Sequence, residues 1–209
     1  MVRSLSGGDR STELLYLFAF PNREQKRYNF QVTTLRYEIV PARPEDAEAI
    51  GNLRAESWDE QYGSLPGLDA DWIEKQVARI TSDASREQRT DAIAESSRPG
   101  ARNFWRVARL APDQTIVGFV DARRLDEGRQ ELHSIHVAAG YRSHGIGQAL
   151  MNTAHIWFDP HAPVFLDVAR DNHRALDFYM RSSNDYHPTG YIYTYEQLGM
   201  MRMQREARV

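Results

Sequence analysis

The stretch Glu131-Leu-His-Ser-Ile-His-Val137-Ala-Ala-Gly140-Tyr-Arg142-Ser-His-Gly145-Ile-Gly147-Gln-Ala-Leu150 constrains the fold more than any other part of the chain. It reads as an apolar-patterned strand running through a basic, glycine-bearing turn into a helix. Glycine lets the backbone come close to an anion. The first turn of a helix leaves amide N–H groups without intrahelical partners, so successive donors converge where the helix dipole favours negative charge. That order builds a seat for a diphosphate. Its donors are the main-chain groups of Arg142, Ser143, His144, Gly145, Ile146, Gly147 and Gln148, and the Arg142 side chain adds a cation beside them.

Spacing separates the phosphate-binding motifs that these letters resemble. A Walker A loop needs a lysine and a hydroxyl where Ile146 and Gly147 stand, so the cation that reaches the phosphates and the magnesium ligand are both missing. The dinucleotide fingerprint G-x-G-x-x-G begins at Gly145 and fails at Leu150, and it lies late in the chain rather than opening it. What remains is R-x-x-G-x-G, satisfied by Arg142, Gly145 and Gly147 directly after a strand ending Ile135-His-Val137. A second pattern lies downstream. Val164-Phe-Leu-Asp-Val168 reads as a buried strand, and Ala175, Phe178 and Tyr179 recur at helical spacing, so Asp171 or Asn172 caps a short helix.

These two segments together resemble the GNAT acetyltransferase superfamily. The resemblance implies an α/β (α+β) fold: a single domain with a mixed, mostly antiparallel central sheet, splayed at the cofactor site, with helices on both faces. It implies that the amides of the turn hold the pyrophosphate of acetyl-CoA, a co-substrate, while the strand edge at Ile135 and Val137 pairs with the pantetheine arm. Asn172 is implied to contact the same arm. Tyr179 is implied to sit near the thioester sulfur and to protonate the departing thiolate, with the Val137 N–H polarising the thioester carbonyl. The resemblance covers roughly residues 35 to 206, although its specific letters occupy only about 131 to 179.

Acetyl transfer to an amine requires a base for the nucleophile, stabilisation of the developing oxyanion and a proton for the sulfur. Strand alternation predicts that Glu131, His133, Ile135 and Val137 share one face. Glu131 lies six residues before Val137 and resembles the general-base glutamate of the histone-acetylating branch. His133 competes for that role, since an unperturbed imidazole titrates near 6.5. Either residue serves, directly or through water. No cysteine is present and no serine sits in a G-x-S-x-G elbow, so the expected route is direct attack by a primary amine in a ternary complex, without an acyl-enzyme. The alternative is a catalytically silent acyl-CoA-binding module that senses cofactor or serves a partner; Tyr179 favours the enzyme, because binding alone needs no proton donor near sulfur.

Composition bounds the rest. The chain has 209 residues, a net charge of −3 and no cysteine, which suits one domain without disulfides or a cysteine-built zinc site. Near-neutral charge gives nucleic-acid binding no support. The seven histidines lack H-E-x-x-H spacing, so no metal is expected. Leu14-Leu-Tyr-Leu-Phe-Ala-Phe20 is too short to span a bilayer and lacks a leader's flanks, which makes the cytoplasm the expected location, with no membrane partner. The acceptor is a small-molecule or peptide amine, and a homodimer is an option the sequence leaves open. Asp59, Glu60 and Asp121 read either as attractants for a cationic amine or as ordinary surface charges. Trp58, Tyr62 and Trp72 read as core or groove wall.

Residues 1–34 form an N-terminal extension of unassigned role, with a polar run from Ser4 to Ser11 that suggests a loose terminus, and residues 35–209 form the acetyltransferase-like domain. Leu35 to Val40 alternates as a strand, Pro44-Glu-Asp opens a helix, and Asp69 or Asp71 opens a second one through Ile80. The polar segment Ser82 to Gly100 closes it as a loop. Phe104 to Leu110 and Ile116 to Ala122 read as a hairpin. Asp126-Glu-Gly128 is the next turn, and Met200 to Arg205 the closing strand.

Overall fold

The computed structural model describes residues 12–21, 28–63, 65 and 67–207. The run from Ser4 to Ser11 lies outside them. The chain order is β1 (Thr12–Pro21), β2 (Tyr28–Pro41), α1 (Ala47–Tyr62), α2 (Ala70–Thr81), α3 (Asp83–Ser96), β3 (Asn103–Leu110), β4 (Ile116–Arg124), β5 (Gln130–Val137), α4 (Ile146–Trp157), β6 (Val164–Ala169), α5 (His173–Tyr179), β7 (His187–Tyr195) and β8 (Leu198–Arg205). Among the described residues the strands form one sheet in the order β1-β2-β3-β4-β5-β6-β8-β7. Every pairing is antiparallel except that of β5 with β6. The mixed, mostly antiparallel sheet expected from the sequence is therefore the observed one.

Helices cover both faces, because the central strands are apolar on both sides. Beneath α4 and α5 the core contains Ile146, Leu150, Met151 and Ala154 packed with Phe104, Val120, Leu132 and Leu166. On the opposite face α1 and α3 bury Ile50, Leu53 and Ile93 against Trp105, Val107 and Phe119. A third cluster joins the end of α1 and the start of α2 to β6 and β8, through Tyr62, Trp72, Ile73, Ala169 and Leu198. No helix among the described residues is long and apolar enough to cross a membrane.

Two local features differ from the sequence reading. Residues Asp83–Ser96 form a helix where a loop was expected. Ser82 caps it, its hydroxyl accepting from the Ser85 N–H, and its buried residues are Ile93 and Arg89. Arg89 replaces the usual apolar anchor: its Nε donates to the Ala47 carbonyl at 2.6 Å, pinning α3 to α1. Such a helix has almost no apolar stripe to read. At the other helix start, Pro44–Asp46 is a 3-10 turn rather than the first turn of α1. Asp46 is buried there, accepting from Arg109 Nη2 at 2.6 Å and from the Arg43 N–H at 2.7 Å.

Candidate active site

The sheet splits where β5 and β6 part. Their parallel pairing covers only Gln130 with Val164 and Glu131 with Phe165. Beyond that point β5 stays with β4 and β6 with β8, so the strand ends diverge, and each leads into the helix that borders the gap. The free edge of β5 faces this gap. Ala138 N–H donates to the Val117 carbonyl of β4 at 2.9 Å, and since successive strand amides point to opposite edges, the Val137 and Ile135 groups point the other way. The Val137 carbonyl on that edge accepts from Arg142 Nε at 2.9 Å.

The turn into α4 is wound by two residues with positive φ, Ser143 at 64° and Gly145 at 79°. Gly145 takes this left-handed conformation without the steric cost a Cβ would bring. The first bond of α4 runs from Ala149 N–H to the Gly145 carbonyl at 2.9 Å. The N–H groups of Ile146, Gly147 and Gln148 come before it and have no acceptor among the described residues. Three unpaired donors at the positive end of a helix dipole are an arrangement suited to an anion. Gln148 also ties the helix to the segment after α5, its side-chain amide donating to Asn184 Oδ1 at 2.7 Å, while Asn184 Nδ2 donates to the Phe178 carbonyl at 2.7 Å.

The sequence-predicted residues fall into two groups on opposite faces of β5, and here the alternation expectation needs correcting. The β4–β5 register steps from Asp121 opposite Ser134 to Ala122 opposite Leu132, leaving His133 as an extra residue. This bulge shifts the alternation by one. Leu132, Ile135 and Val137 face the core under α4. On the other side, Ser134 Oγ donates to Asp121 and His136 stacks on Phe119 at 5.1 Å. Glu131 and His133 thus share no face with Ile135 and Val137, but they do meet each other, Nδ1 to Oε1 at 3.0 Å. That hydrogen bond holds the half-buried Glu131 carboxyl below the usual carboxylate range. Asp121 is buried rather than a surface charge.

On the α4 side, Tyr179 is buried and packs edge-on against Phe178 at 5.6 Å and Tyr186 at 6.0 Å. Burial, with a smaller contribution from Tyr62, pushes its phenol above the ordinary tyrosine value. Asn172 caps α5, its Oδ1 accepting from the Ala175 N–H at 3.1 Å. His144 Nδ1 bonds the Arg142 carbonyl at 2.5 Å. The Arg142 guanidinium, expected as a cation beside the amides, donates through Nη1 and Nη2 to both carboxylate oxygens of Glu60. Arg174 approaches the same carboxylate at 3.6 Å. Tyr62, two residues after Glu60, has its phenol pushed up to about 12 by burial, and it packs with Trp58 at 4.8 Å. No local motif marks the linked roles of Glu60 and Arg174; the only sequence signals are their positions at a helix end and a helix start.

The sequence matches the acetyltransferase (GNAT) family over residues 48–183, which spans the parted strands, the start of α4 and α5. The chain belongs to the acetyltransferase (GNAT) family. Solved structures agree on the fold. The PaiA N-acetyltransferase of Thermoplasma acidophilum, in complex with coenzyme A, is 21% identical, with a TM-score of 0.66 over 81% of this chain and 98% of that one. A GCN5-related N-acetyltransferase structure from Rhodopseudomonas palustris gives 17% identity and a TM-score of 0.58 over 80% and 94%. An acetyltransferase of the GNAT family from Staphylococcus aureus Mu50 gives 17% and 0.56 over 82% and 99%. Among curated proteins, none matches the chain. As a GNAT family member, the protein is an acyltransferase with the splayed sheet of that fold.

Proposed function

We propose that this protein moves an acetyl group from acetyl-CoA to a primary amine by direct attack in a ternary complex. The observation that carries the reading is the set of unpaired α4 amides at Ile146, Gly147 and Gln148, beside the open β5 edge. Those amides, with the turn Arg142-Ser143-His144-Gly145, would hold the diphosphate. The gap-facing groups of Ile135 and Val137 would pair with the pantetheine arm, and the Val137 N–H would polarise the thioester carbonyl. Asn172 would add a contact to that arm through the side-chain nitrogen that its capping role leaves over.

Tyr179 is the proposed acid. Its raised pKa keeps the proton in place at neutral pH, and the same dry surroundings would raise the proton affinity of a departing thiolate. Glu131 and His133 form the proposed base as a bonded pair, the ionised carboxylate orienting the imidazole or taking the proton through water. Measured thiol release from acetyl-CoA with a panel of amines tests the reading. Tyr179→Phe should lower kcat by about 10²-fold to 10⁴-fold while coenzyme A affinity stays near that of the wild type. Tight coenzyme binding without turnover for any amine would instead identify a silent binding module.

A further inference from the structure

Resting on that coenzyme A reading, we propose that Glu60 is an internal stand-in for a phosphate group, a latch carboxylate that the coenzyme's phosphates displace from Arg142 and Arg174. Glu60 lies in the last turn of α1. Its two carboxylate oxygens accept from the two terminal nitrogens of Arg142, in the turn before α4, and Arg174 Nη1, in the first turn of α5, stands 3.6 Å away. One carboxylate therefore joins three elements at the lips of the gap: the end of α1, the turn that leads into the three unpaired amides of α4, and the start of α5.

A guanidinium fork binds carboxylate and phosphate in the same bidentate geometry, so the two anions compete for one pair of cations. Arg174 has no other ion pair or hydrogen bond among the described residues, which leaves it available to whichever anion occupies the site. All three side chains of the latch are partly exposed, Glu60 by 42%, Arg174 by 58% and Arg142 by 21%. An incoming phosphate can therefore reach them. Displacement would untie the end of α1 from the lips of the gap, and Trp58, two residues before Glu60, sits where that release alters its surroundings.

Coenzyme A titrations of the wild type, Glu60→Ala, Glu60→Gln, Glu60→Asp and Arg174→Ala, followed by calorimetry and tryptophan fluorescence, test the latch. Removing the competing carboxylate should tighten coenzyme A binding by about 2-fold to 5-fold, in keeping with a partly exposed ion pair. Glu60→Asp should restore wild-type affinity, and Arg174→Ala should weaken binding. Dephospho-coenzyme A identifies the displacing group: a gain that persists points to the diphosphate, a gain that vanishes to the 3′-phosphate, and both fit a latch. Unchanged or weaker binding by Glu60→Ala and Glu60→Gln, in a wild type that binds coenzyme A, would make Glu60 a mere brace for Arg142 and overturn the latch alone. A wild type that binds no coenzyme A would overturn the cofactor reading and the latch with it. Glu60→Gln, nearly isosteric, serves if the alanine variant fails to fold.

Discussion

Gly147 allows the proposed anion seat to be separated from the packing of the fold. A Cβ built at this position would lie 3.7 Å from Val137 Cγ2 and 3.7 Å from Phe178 Cε2, which is ordinary van der Waals contact. Packing therefore gives no reason for glycine there, and Gly147→Ala should gain up to about 1 kcal/mol from helix propensity. For a domain of this size, that is a rise of about 2–4 °C in Tm. The same methyl would project between the end of β5 and α5, where the proposed function brings the diphosphate and the start of the pantetheine arm. An overpacked contact costs about 1–3 kcal/mol, or roughly 5-fold to 150-fold in Kd. The main-chain N–H survives the substitution, so only the space above it is tested. Thermal unfolding and coenzyme A calorimetry on the same sample give both quantities. Affinity equal to wild type, or a lowered Tm, would refute the claim that the glycine is kept open for a ligand.

Two further predictions concern stability. Burial, followed by the nearby charges of Arg54 and Arg142, pushes His136 down to about 3, so it stays neutral in the fold. An unfolded imidazole titrates at about 6.5, so between these values the unfolded chain binds the extra proton and stability falls as pH drops, by about 2 kcal/mol at pH 5. His136→Phe keeps an aromatic ring against Phe119 and should remove this part of the slope in urea unfolding between pH 7 and pH 5; an unaltered slope would count against it. Asp46→Ala strands the buried Arg109 guanidinium and should cost about 3–5 kcal/mol in urea denaturation. A loss under about 1 kcal/mol would show that the pair is not what holds that corner.

The parts of the fold legible in the sequence were those in which local chemistry and tertiary role agree. The strand, turn and helix from Gln130 to Trp157 announced itself because glycine, arginine and an apolar helix face occur together within one short stretch. The α5 cap at Asn172 was readable for the same reason. What escaped reading depended on partners distant in sequence. Helix α3 is anchored by Arg89 on a carbonyl of α1, so its polar letters resemble a loop. The face of Glu131 and His133 was misassigned because a bulge leaves no mark in the residues that form it; only the pairing with Asp121 and Ala122 defines it. The link from Arg142 to Glu60 joins residues far apart in the chain, and nothing near either one signals it.

Titrating isotope-labelled protein with coenzyme A while following backbone amide resonances measures the anion seat itself. The N–H groups of Ile146, Gly147 and Gln148, unpaired at the start of α4, should shift together and saturate with the binding isotherm. Binding that moves resonances elsewhere and leaves these three in place would contradict the assignment of the α4 N-terminus as the diphosphate site.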